Sequence, residues 1–340
     1  MLKPTTSVWV KYLALAVLVL QNAALVLVMR SSQLSNSSSS AGSLPGYLPS
    51  TAVLLGELIK LLASVGFLLV EQSYNLSSTL DLVAFSVSSK TLRQDFPSLC
   101  VPALLYLVQN NFVYVAAYNL EPAPFQLLFQ LKIFSTAILS VVILKRVLTI
   151  RHWRALLVLF VGVALVQLST MQTTGKGGQG DPIKGLIAVA IAVLCSGLSG
   201  VWFERILKTT SGSIWVRNIQ LSLISLVLAV GSIAMQSHDR RQVAEFGLLQ
   251  GYSALVWSVV GVQSFGGLLV AVVVKYADNI LKGFATSIAT VLSTLVSVIW
   301  FDFKLSPLFL VGAGLVLGSA MLYNTADRQQ QLQAEQSTKI

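Results

Sequence analysis

Apolar runs of about 20 residues follow one another along nearly the whole chain, with short polar gaps between them. A run of that length, folded as an α-helix, crosses the roughly 30 Å hydrocarbon core of a bilayer. Ten such runs can be placed, at residues 7–29, 50–70, 97–118, 122–143, 153–171, 184–204, 215–236, 252–274, 279–301 and 306–324. The sequence therefore predicts an all-α polytopic membrane protein with about ten transmembrane helices.

The composition supports a membrane protein rather than a soluble domain. Hydrophobic residues make up 55% of the chain, charged residues make up 11%, and the mean hydropathy is +0.76. A soluble chain carries roughly twice that charged fraction. The formal net charge of +10 suggests nucleic acid as a partner, but the basic residues lie at the ends of the runs and form no single patch. We therefore predict membrane lipid as a partner, and no nucleic acid.

The basic residues also predict the orientation of the chain, because cytoplasmic gaps carry an excess of Lys and Arg. They concentrate in the gaps after the second, fourth and sixth runs, at Lys90, Arg93, Lys145, Arg146, Arg151, Arg154, Arg205 and Lys208. The seventh gap weakens this pattern with Arg240 and Arg241, although Asp239 and Glu245 stand beside them. We expect the even gaps and both termini to face the cytoplasm.

Two similar segments indicate an internal repeat. QLKIFSTAILSVVIL, which contains Lys132, resembles ILKGFATSIATVLSTLVSV, which contains Lys282. If each half holds five helices, the second half enters the membrane from the opposite side, and such inverted repeats build transporters with the substrate site at the repeat interface. The predicted boundaries are 1–174 and 184–326 for the two five-helix repeats, 175–183 for a Gly-rich linker and 327–340 for a polar cytoplasmic tail.

Few charged residues lie inside the predicted spans, where each costs several kcal/mol unless it faces a cavity or a partner. Lys132 has no acid within four residues, so we predict that its amine faces a cavity, with snorkelling to the surface as the alternative. Lys282 is shallower, and snorkelling competes more strongly there. Glu57 and Lys60 share one helix face, where they either form a structural ion pair or border a substrate cavity.

Neutral polar groups in other spans add to this pattern. Tyr106 and Asn110 lie four residues apart on one face of the third span, and Asn218 and Ser222 share one face of the seventh. Amides in spans either bond neighbouring helices or read the donor and acceptor edge of a ligand. Lysines bind phosphate oxygens, and an aromatic ring such as Phe125 can stack on a base. Together these residues predict an anionic ligand with a flat polar head.

The same survey argues against an intramembrane enzyme. A glycosyl or phosphoryl transferase needs a carboxylate cluster, a metal site or a general base, and Glu57 is the one acid that the sequence places deep in a span. His152 and His238 lie in gaps, where we expect them to be solvated. Cys100 and Cys195 lie in apolar runs, and we expect them to be buried, inert thiols. We predict no enzymatic activity, no cofactor and no bound metal.

Five segments of the chain resemble those of a known family. The segments are YLVQNN, FQLLFQLK, AVLCSGLSGVWFERILK, SIWVRNIQL and VVVKYADNILKGFATS. They are similar to segments of the Golgi nucleotide-sugar transporters, in the branch for CMP-sialic acid, UDP-galactose and UDP-N-acetylglucosamine. The resemblance runs from about residue 10 to 325. It implies the fold of the drug/metabolite transporter superfamily, with two inverted five-helix repeats, in a multi-pass Golgi membrane protein.

The resemblance implies an activity and roles for matching residues. Such transporters exchange cytosolic nucleotide sugar for lumenal nucleoside monophosphate, so these two ligands are the expected partners. Tyr106, Asn110 and Asn218 would line the nucleoside pocket, and Lys132 and Lys282 would hold phosphates. Whether the carrier acts alone or as a homodimer stays open.

Other matching residues would act at the two ends of the ligand. Glu57 and Lys60, in the family's ExxK pattern, would lie near the sugar. Gly266 and Gly267 would allow close approach of ligand to the backbone. Phe125 stands where relatives usually carry tyrosine, so stacking is kept and a hydroxyl contact is lost.

Ser222 bears on which nucleotide sugar is carried. The resemblance implies a bulky tyrosine at this position in the CMP-sialic acid branch and a small residue in the UDP-sugar branches. Ser222 therefore favours a UDP-sugar exchanged for UMP, with galactose and N-acetylglucosamine left open. A CMP-sialic acid/CMP antiporter is the alternative, followed by another exporter of the same superfamily or an intramembrane transferase.

Overall fold

The computed structural model describes residues 4–38, 47–87, 89–120, 122–170, 181–209, 213–301 and 306–338, and within these ranges the regular elements are helices. In chain order they are α1 Pro4–Ser38, α2 Pro49–Glu71, α3 Leu76–Val87, α4 Ser89–Asn119, α5 Pro122–Phe129, α6 Lys132–Leu144, α7 Ile150–Thr170, α8 Pro182–Thr209, α9 Ile214–Met235, α10 Ser237–Phe246, α11 Ala254–Tyr276, α12 Asn279–Phe301 and α13 Pro307–Thr338. The prediction of an all-α polytopic membrane protein is confirmed.

Nine segments of the described chain are long and apolar enough to cross a bilayer. The remaining predicted span, 97–118, falls within α4. Two short helices, α3 and α10, occupy gaps in which the sequence analysis placed no element. Most of the predicted linker at 175–183 lies outside the described residues. The orientation of the termini and the repeat boundaries stay predictions.

Local sequence signals explain where several spans begin. Ser213 and Ser253 precede α9 and α11, and their hydroxyls accept hydrogen bonds from Trp215 N at 3.1 Å and Val256 N at 3.4 Å. These contacts satisfy amides that lack a partner in the first turn of a helix. Five other helices, α1, α2, α5, α8 and α13, begin at a proline, a residue whose missing N–H is harmless at the first helical position.

The predicted span at 122–143 contains a short interruption of the helix, although Leu127–Leu144 is still long and apolar enough to be one candidate membrane span. The helix stops at Phe129 and starts again at Lys132. Short-range backbone hydrogen bonds bridge the break, from Leu131 N to Leu128 O at 3.0 Å and from Ile133 N to Gln130 O at 3.1 Å. Because these bonds replace the lost helical ones, the chain can bend at this point without exposing bare amides to an apolar environment.

The chain forms two compact units that each combine two separate segments of the sequence. Unit 1 comprises Met1–Ala103 and Ile206–Asp278, and unit 2 comprises Leu104–Arg205 and Asn279–Ile340. Unit 1 therefore holds α1 to α3 and α9 to α11, whereas unit 2 holds α5 to α7, α12 and α13. The boundaries fall inside α4 and α8.

In unit 1, side-chain contacts fix the relative directions of three spans. The rings of Phe67 and Trp215 stack at 4.5 Å, and Glu71 hydrogen-bonds Ser213, so α2 and α9 run antiparallel. Ser264 Oγ donates to Gly56 O at 3.2 Å on α2, and Lys60 packs against Gly267, so α2 and α11 run parallel. These directions agree with the predicted count, because the second and eighth spans then cross the membrane in the same direction.

In unit 2, α7 and α13 pack closely through glycines. A Cβ on Gly162 would lie 2.9 Å from Val316 N and 3.0 Å from Gly312 O, which leaves no space for any larger residue. The His152 ring meets Tyr323 edge-on at 4.9 Å at the other end of the same contact. The two helices are therefore antiparallel, as the fifth and tenth spans must be.

Candidate functional site

Lys132 occupies the first position of α6, immediately after the break in the predicted fourth span. Its amine lies over the ring of Phe129, 4.5 Å from the centroid. A cation on an aromatic face is stabilised by the ring quadrupole, more strongly where water is scarce. A helix N-terminus also carries partial positive charge and favours anions. The break thus gives Lys132 a setting that suits an anionic group.

Lys282 lies in the first turn of α12. The second lysine that is predicted to bind phosphate is therefore also near a helix N-terminus. Within unit 2 the two ammonium groups are close enough to repel each other. Both side chains are partly buried. Two like charges held together in an apolar bundle are unfavourable until an anion joins them. The structure therefore brings together the two lysines that the sequence analysis paired.

Glu204, on α8, is a buried acid that the sequence analysis missed. Its side chain is 1% exposed. The carboxylate accepts a hydrogen bond from Asn279 N at 2.9 Å, at the start of α12, and it attracts Lys282 electrostatically. The sequence analysis missed Glu204 because the predicted span ends at that residue, whereas α8 continues to Thr209 and the side chain is buried.

Phe125 lies one helical turn before Phe129 on α5. The two rings stack at 5.9 Å with an interplanar angle of 21°. Both rings pack against a core cluster in unit 2 formed by Ala116, Ala188, Val189 and Val193. An aromatic ladder therefore leads from Phe125 through Phe129 to the amine of Lys132. That Phe125 stacks on a base stays a prediction.

Tyr106 and Asn110 lie on one face of α4 in unit 2, and both side chains are exposed. Their neighbour Asn111 donates to Leu107 O at 2.8 Å, so that amide is used within its own helix. Tyr106 and Asn110 are thus presented on a helix face, as the spacing predicted. Their contact with a nucleoside stays a prediction.

Glu57 and Lys60 form an ion pair in unit 1, with Lys60 Nζ 2.6 Å from Glu57 Oε1. They line a small, partly open cavity between α2 and α11. The second carboxylate oxygen of Glu57 is buried and has no hydrogen-bond partner in the described structure. The ion pair is confirmed, whereas a role of this cavity in substrate binding stays a prediction. Gln263 also lines this cavity, and no sequence motif singled it out.

Gly266 and Gly267 make room for two side chains of unit 1. A Cβ on Gly267 would lie 2.7 Å from Lys60 Cδ, and one on Gly266 would collide with the Gln21 amide. Gln21 is buried and donates to Val262 O at 3.0 Å. These glycines therefore seat Lys60 and Gln21 against α11. That a ligand approaches the backbone here stays a prediction.

Asn218 and Ser222 are buried on the face of α9 that packs on α2. The antiparallel register set by Phe67 and Trp215 places Ser222 at the height of Lys60. The Nδ2 atom of Asn218 is buried and has no hydrogen-bond partner in the described structure. An unsatisfied buried amide costs about 1–3 kcal/mol. The Nδ2 group of Asn218 could therefore donate a hydrogen bond to an acceptor atom of a ligand.

The two histidines differ from the expectation that both are solvated. His238 is exposed, but His152 is fully buried between α7 and α13. His152 Nδ1 accepts from Thr149 N at 3.1 Å, and its Nε2 lies 3.7 Å from Asp327 Oδ1. His152 therefore caps α7 and helps to dock α13. Across the described residues, no three His, Cys, Asp or Glu side chains form a metal-ligand group.

Apolar spans that enclose lysines, amides and a cavity are typical of a membrane transporter rather than of an anchor or a scaffold. The chain belongs to the nucleotide-sugar transporter family, because the profile described as "Nucleotide-sugar transporter" matches residues 6–324. The predicted resemblance is confirmed, and so is the prediction of a transporter rather than an enzyme.

Proteins named for two nucleotide sugars are similar to this chain. The UDP-galactose translocator of Mus musculus is 46% identical over 320 residues, which cover 92% of this chain and 78% of that one. The UDP-galactose transporter of Schizosaccharomyces pombe is 42% identical, with coverage of 92% and 87%. The UDP-N-acetylglucosamine transporter of Bos taurus is 40% identical, with coverage of 92% and 94%.

A protein of known crystal structure shares the fold. Its TM-score is 0.63 over 96% of this chain and 99% of that chain. The sequence identity is 17%, so this likeness shows the fold alone. It agrees with the helical architecture described above.

Proposed function

We propose that this protein is a nucleotide-sugar antiporter that carries a UDP-sugar, UDP-galactose or UDP-N-acetylglucosamine, into the Golgi lumen in exchange for UMP. The observation that carries the proposal is the pair of partly buried lysines that unit 2 brings close together, with Lys132 at the first position of α6 and Lys282 in the first turn of α12. The relatives at 40–46% identity are named for these two substrates. UDP-galactose is the first substrate to test.

Lys132 and Lys282 bind the phosphates in this proposal. Each amine lies in the first turn of a helix, where backbone dipoles add to the positive potential. A lysine acts as a point charge on phosphate oxygens and needs no fixed geometry. The same two amines can therefore hold the diphosphate of a nucleotide sugar and the monophosphate of the returning nucleotide.

Other residues bind the nucleoside or the sugar part of the ligand in this proposal. Asn218 offers the unpaired Nδ2 donor to the base, with Ser222 as the small neighbour that leaves room for it. Tyr106 and Asn110 on α4, and Phe125 on α5, are the other residues proposed to contact the nucleoside. In unit 1 the Glu57–Lys60 pair offers a cation and a carboxylate oxygen to sugar hydroxyls, and Gly266 and Gly267 shape the surface around it.

Transport follows alternating access in this proposal. Nucleotide sugar enters from the cytoplasm, where both termini lie, and UMP returns from the lumen. An antiporter needs a loaded form that reorients faster than the empty form. Phosphates that bind Lys132 and Lys282 supply that difference, because buried positive charge that is not fully compensated resists rearrangement in an apolar setting.

Stabilisation of the carrier by free nucleotides tests which base it binds. The purified carrier is heated with UMP, CMP or no nucleotide, and its melting temperature is measured. We expect UMP to raise the melting temperature more than CMP at equal concentration, because a ligand stabilises the state that binds it. A larger shift with CMP would support the CMP-sialic acid alternative, and no shift with either nucleotide would contradict the proposal.

A further inference from the structure

Glu204 is the most deeply buried acid among the described residues of unit 2 that the proposed function leaves without a role. It lies on α8, and its side chain is 1% exposed. An ionised carboxylate at such depth is unfavourable by several kcal/mol unless hydrogen bonds or an opposite charge compensate for it. The groups that compensate for Glu204 therefore indicate what it does.

One compensating group is the start of α12. Glu204 Oε2 accepts from the backbone N–H of Asn279, the first residue of that helix, at 2.9 Å, and this hydrogen bond is buried. The amides in the first turn of a helix have no partner within the helix. Glu204 therefore caps α12 from a neighbouring helix and interacts with the positive end of its dipole.

The packing of α8 against α12 makes this contact possible. Gly200 lies one turn before Glu204, and a Cβ at Gly200 would collide with the amide of Asn279. The glycine thus lets the first residue of α12 approach α8 closely. The position of the carboxylate is fixed by backbone packing, and it does not depend on a flexible loop.

The second compensating group is Lys282. It lies three residues after Asn279, and side chains on a helix tilt toward the N-terminus, where the carboxylate sits. Glu204 attracts Lys282, and Lys132 is the nearby like charge that repels Lys282. Lys282 thus stands between a like charge and an opposite charge, whereas Lys132 has the ring of Phe129 as its stabilising neighbour.

We propose that Glu204 is a positioning residue for Lys282, serving as its internal counter-ion when the carrier is empty and yielding the ammonium to substrate phosphate when the carrier is loaded. This inference rests on the proposed function. It adds that a carboxylate of the protein competes with substrate phosphate for Lys282. Phosphate and Glu204 are both anions that require the same ammonium. The carboxylate therefore weakens substrate binding and, in return, lets the empty carrier rearrange.

This role changes the net charge of the empty site. Without Glu204, Lys132 and Lys282 would be two uncompensated cations. With Glu204 beside Lys282, the empty group carries a formal charge of one, because two ammonium ions and one carboxylate combine. The carrier then returns empty more readily than a site with two unpaired cations, and nucleotide exchange is favoured but not absolute.

The test is Glu204→Gln in proteoliposomes, with labelled UDP-galactose outside and UMP or buffer inside. Glutamine keeps an oxygen that can accept from Asn279 N, so a role limited to capping predicts an unchanged KM. Removing the competing charge is expected to lower the KM for UDP-galactose about fivefold. The ratio of exchange to net uptake should rise by a similar factor, because the empty form becomes more positive.

Three further variants complete the design. Glu204→Asp keeps the charge, and we expect it to retain the wild-type ratio of exchange to net uptake even if the protein is less stable. The double variant Glu204→Gln/Lys282→Gln should have the same KM for UDP-galactose as Lys282→Gln alone. Glu245→Gln removes an exposed acid of α10 and controls for net charge.

Each outcome decides between the explanations. A raised or unchanged KM in Glu204→Gln, or the same fold-change with and without Lys282, would overturn the counter-ion role while leaving the proposed function intact. If Glu204→Gln does not fold, a loss of the wild-type flux ratio in Glu204→Asp overturns it instead. Absence of UDP-galactose uptake by the wild-type protein would overturn the proposed function and this inference together.

Discussion

Each amine of the candidate site has a neighbour that offsets its unfavourable burial. Lys60 pairs with Glu57, Lys132 lies over the ring of Phe129, and Lys282 lies near Glu204. The three neighbours differ in strength, because a carboxylate neutralises an ammonium and an aromatic ring only attracts it. We therefore expect Lys132 to be the cation that a bound phosphate would stabilise most.

Replacement of Lys132 tests whether it contributes more to phosphate binding than Lys282 does. We expect Lys132→Gln to raise the KM for UDP-galactose at least tenfold, since a hydrogen bond to a charged group contributes about 1.5–3 kcal/mol. Lys282→Gln should raise KM less, because Glu204 already competes for that amine. The measurement is initial uptake into proteoliposomes loaded with UMP.

Lys184→Gln is the matched control for the loss of a lysine. Lys184 is exposed near the start of α8, and its 4.0 Å contact with Asp181 is at the surface. Its KM should equal that of the wild type. Equal KM values for Lys132→Gln and Lys184→Gln would remove Lys132 from the binding site.

Ser222 provides a second test at a single position. The side chain is 3% exposed on α9, so a tyrosine there has to displace its surroundings. We expect Ser222→Tyr to abolish the stabilisation by UMP, whereas Ser222→Ala should retain it, because alanine keeps the space. Melting temperatures with and without UMP give the comparison. Undiminished stabilisation of Ser222→Tyr by UMP would show that Ser222 does not border the nucleotide.

Sequence patterns predicted some of these residues and missed others for a physical reason. Lys132 and the Glu57–Lys60 pair stood out because a charge in an apolar run is conspicuous. Glu204 and His152 did not, because they lie at span ends, where charged residues are ordinary. Their burial depends on how far α8 extends and on the packing of α13 against α7, which are tertiary features.

The helices themselves were predicted well where hydropathy decides them. The bounds of α2, α7, α9 and α12 fall within a few residues of the predicted spans. The break between α5 and α6 was not predicted, because neither proline nor glycine occurs at Gln130 or Leu131 to mark it. The short helices α3 and α10 were missed because they are not long apolar runs.

The glycine contact between α7 and α13 predicts a strong effect on stability. We expect Gly162→Ala to lower the melting temperature in detergent, with a loss of about 1–3 kcal/mol, because the new Cβ meets backbone atoms that cannot move aside. Gly314→Ala on α13 is the control, since nothing lies within 4 Å of its Cβ position. If both variants melt at the wild-type temperature, the described contact is incorrect.

The approach of Lys60 to α11 predicts an effect on activity. In Gly267→Ala the new Cβ would meet Lys60 Cδ at 2.7 Å and shift the amine away from the cavity. We expect a reduced rate of UDP-galactose uptake with little loss of stability, because the obstructed group is a flexible side chain. Gly66→Ala, on α2 with open space around it, is the matched control. Identical uptake by the two variants would contradict a role for Lys60.

The two compact units show what the order of the chain does not reveal. Each unit combines two separate segments of the sequence, so the predicted division at the Gly-rich linker is a different description from this packing. The directions of α2, α9 and α11 follow from counting spans, but the partners of each span do not. Hydropathy alone carries no information about which apolar faces meet.

Exchange in a reconstituted system tests the central claim that this chain is a UDP-sugar/UMP antiporter. Proteoliposomes are loaded with UMP, CMP or buffer, labelled UDP-galactose and then UDP-N-acetylglucosamine are supplied outside, and the trapped label is analysed chemically. The account predicts that UMP inside stimulates uptake of at least one of these sugars more than CMP does, and that the trapped nucleotide sugar is intact. Uptake of both no faster than in protein-free liposomes, or stimulation by CMP alone, would contradict it.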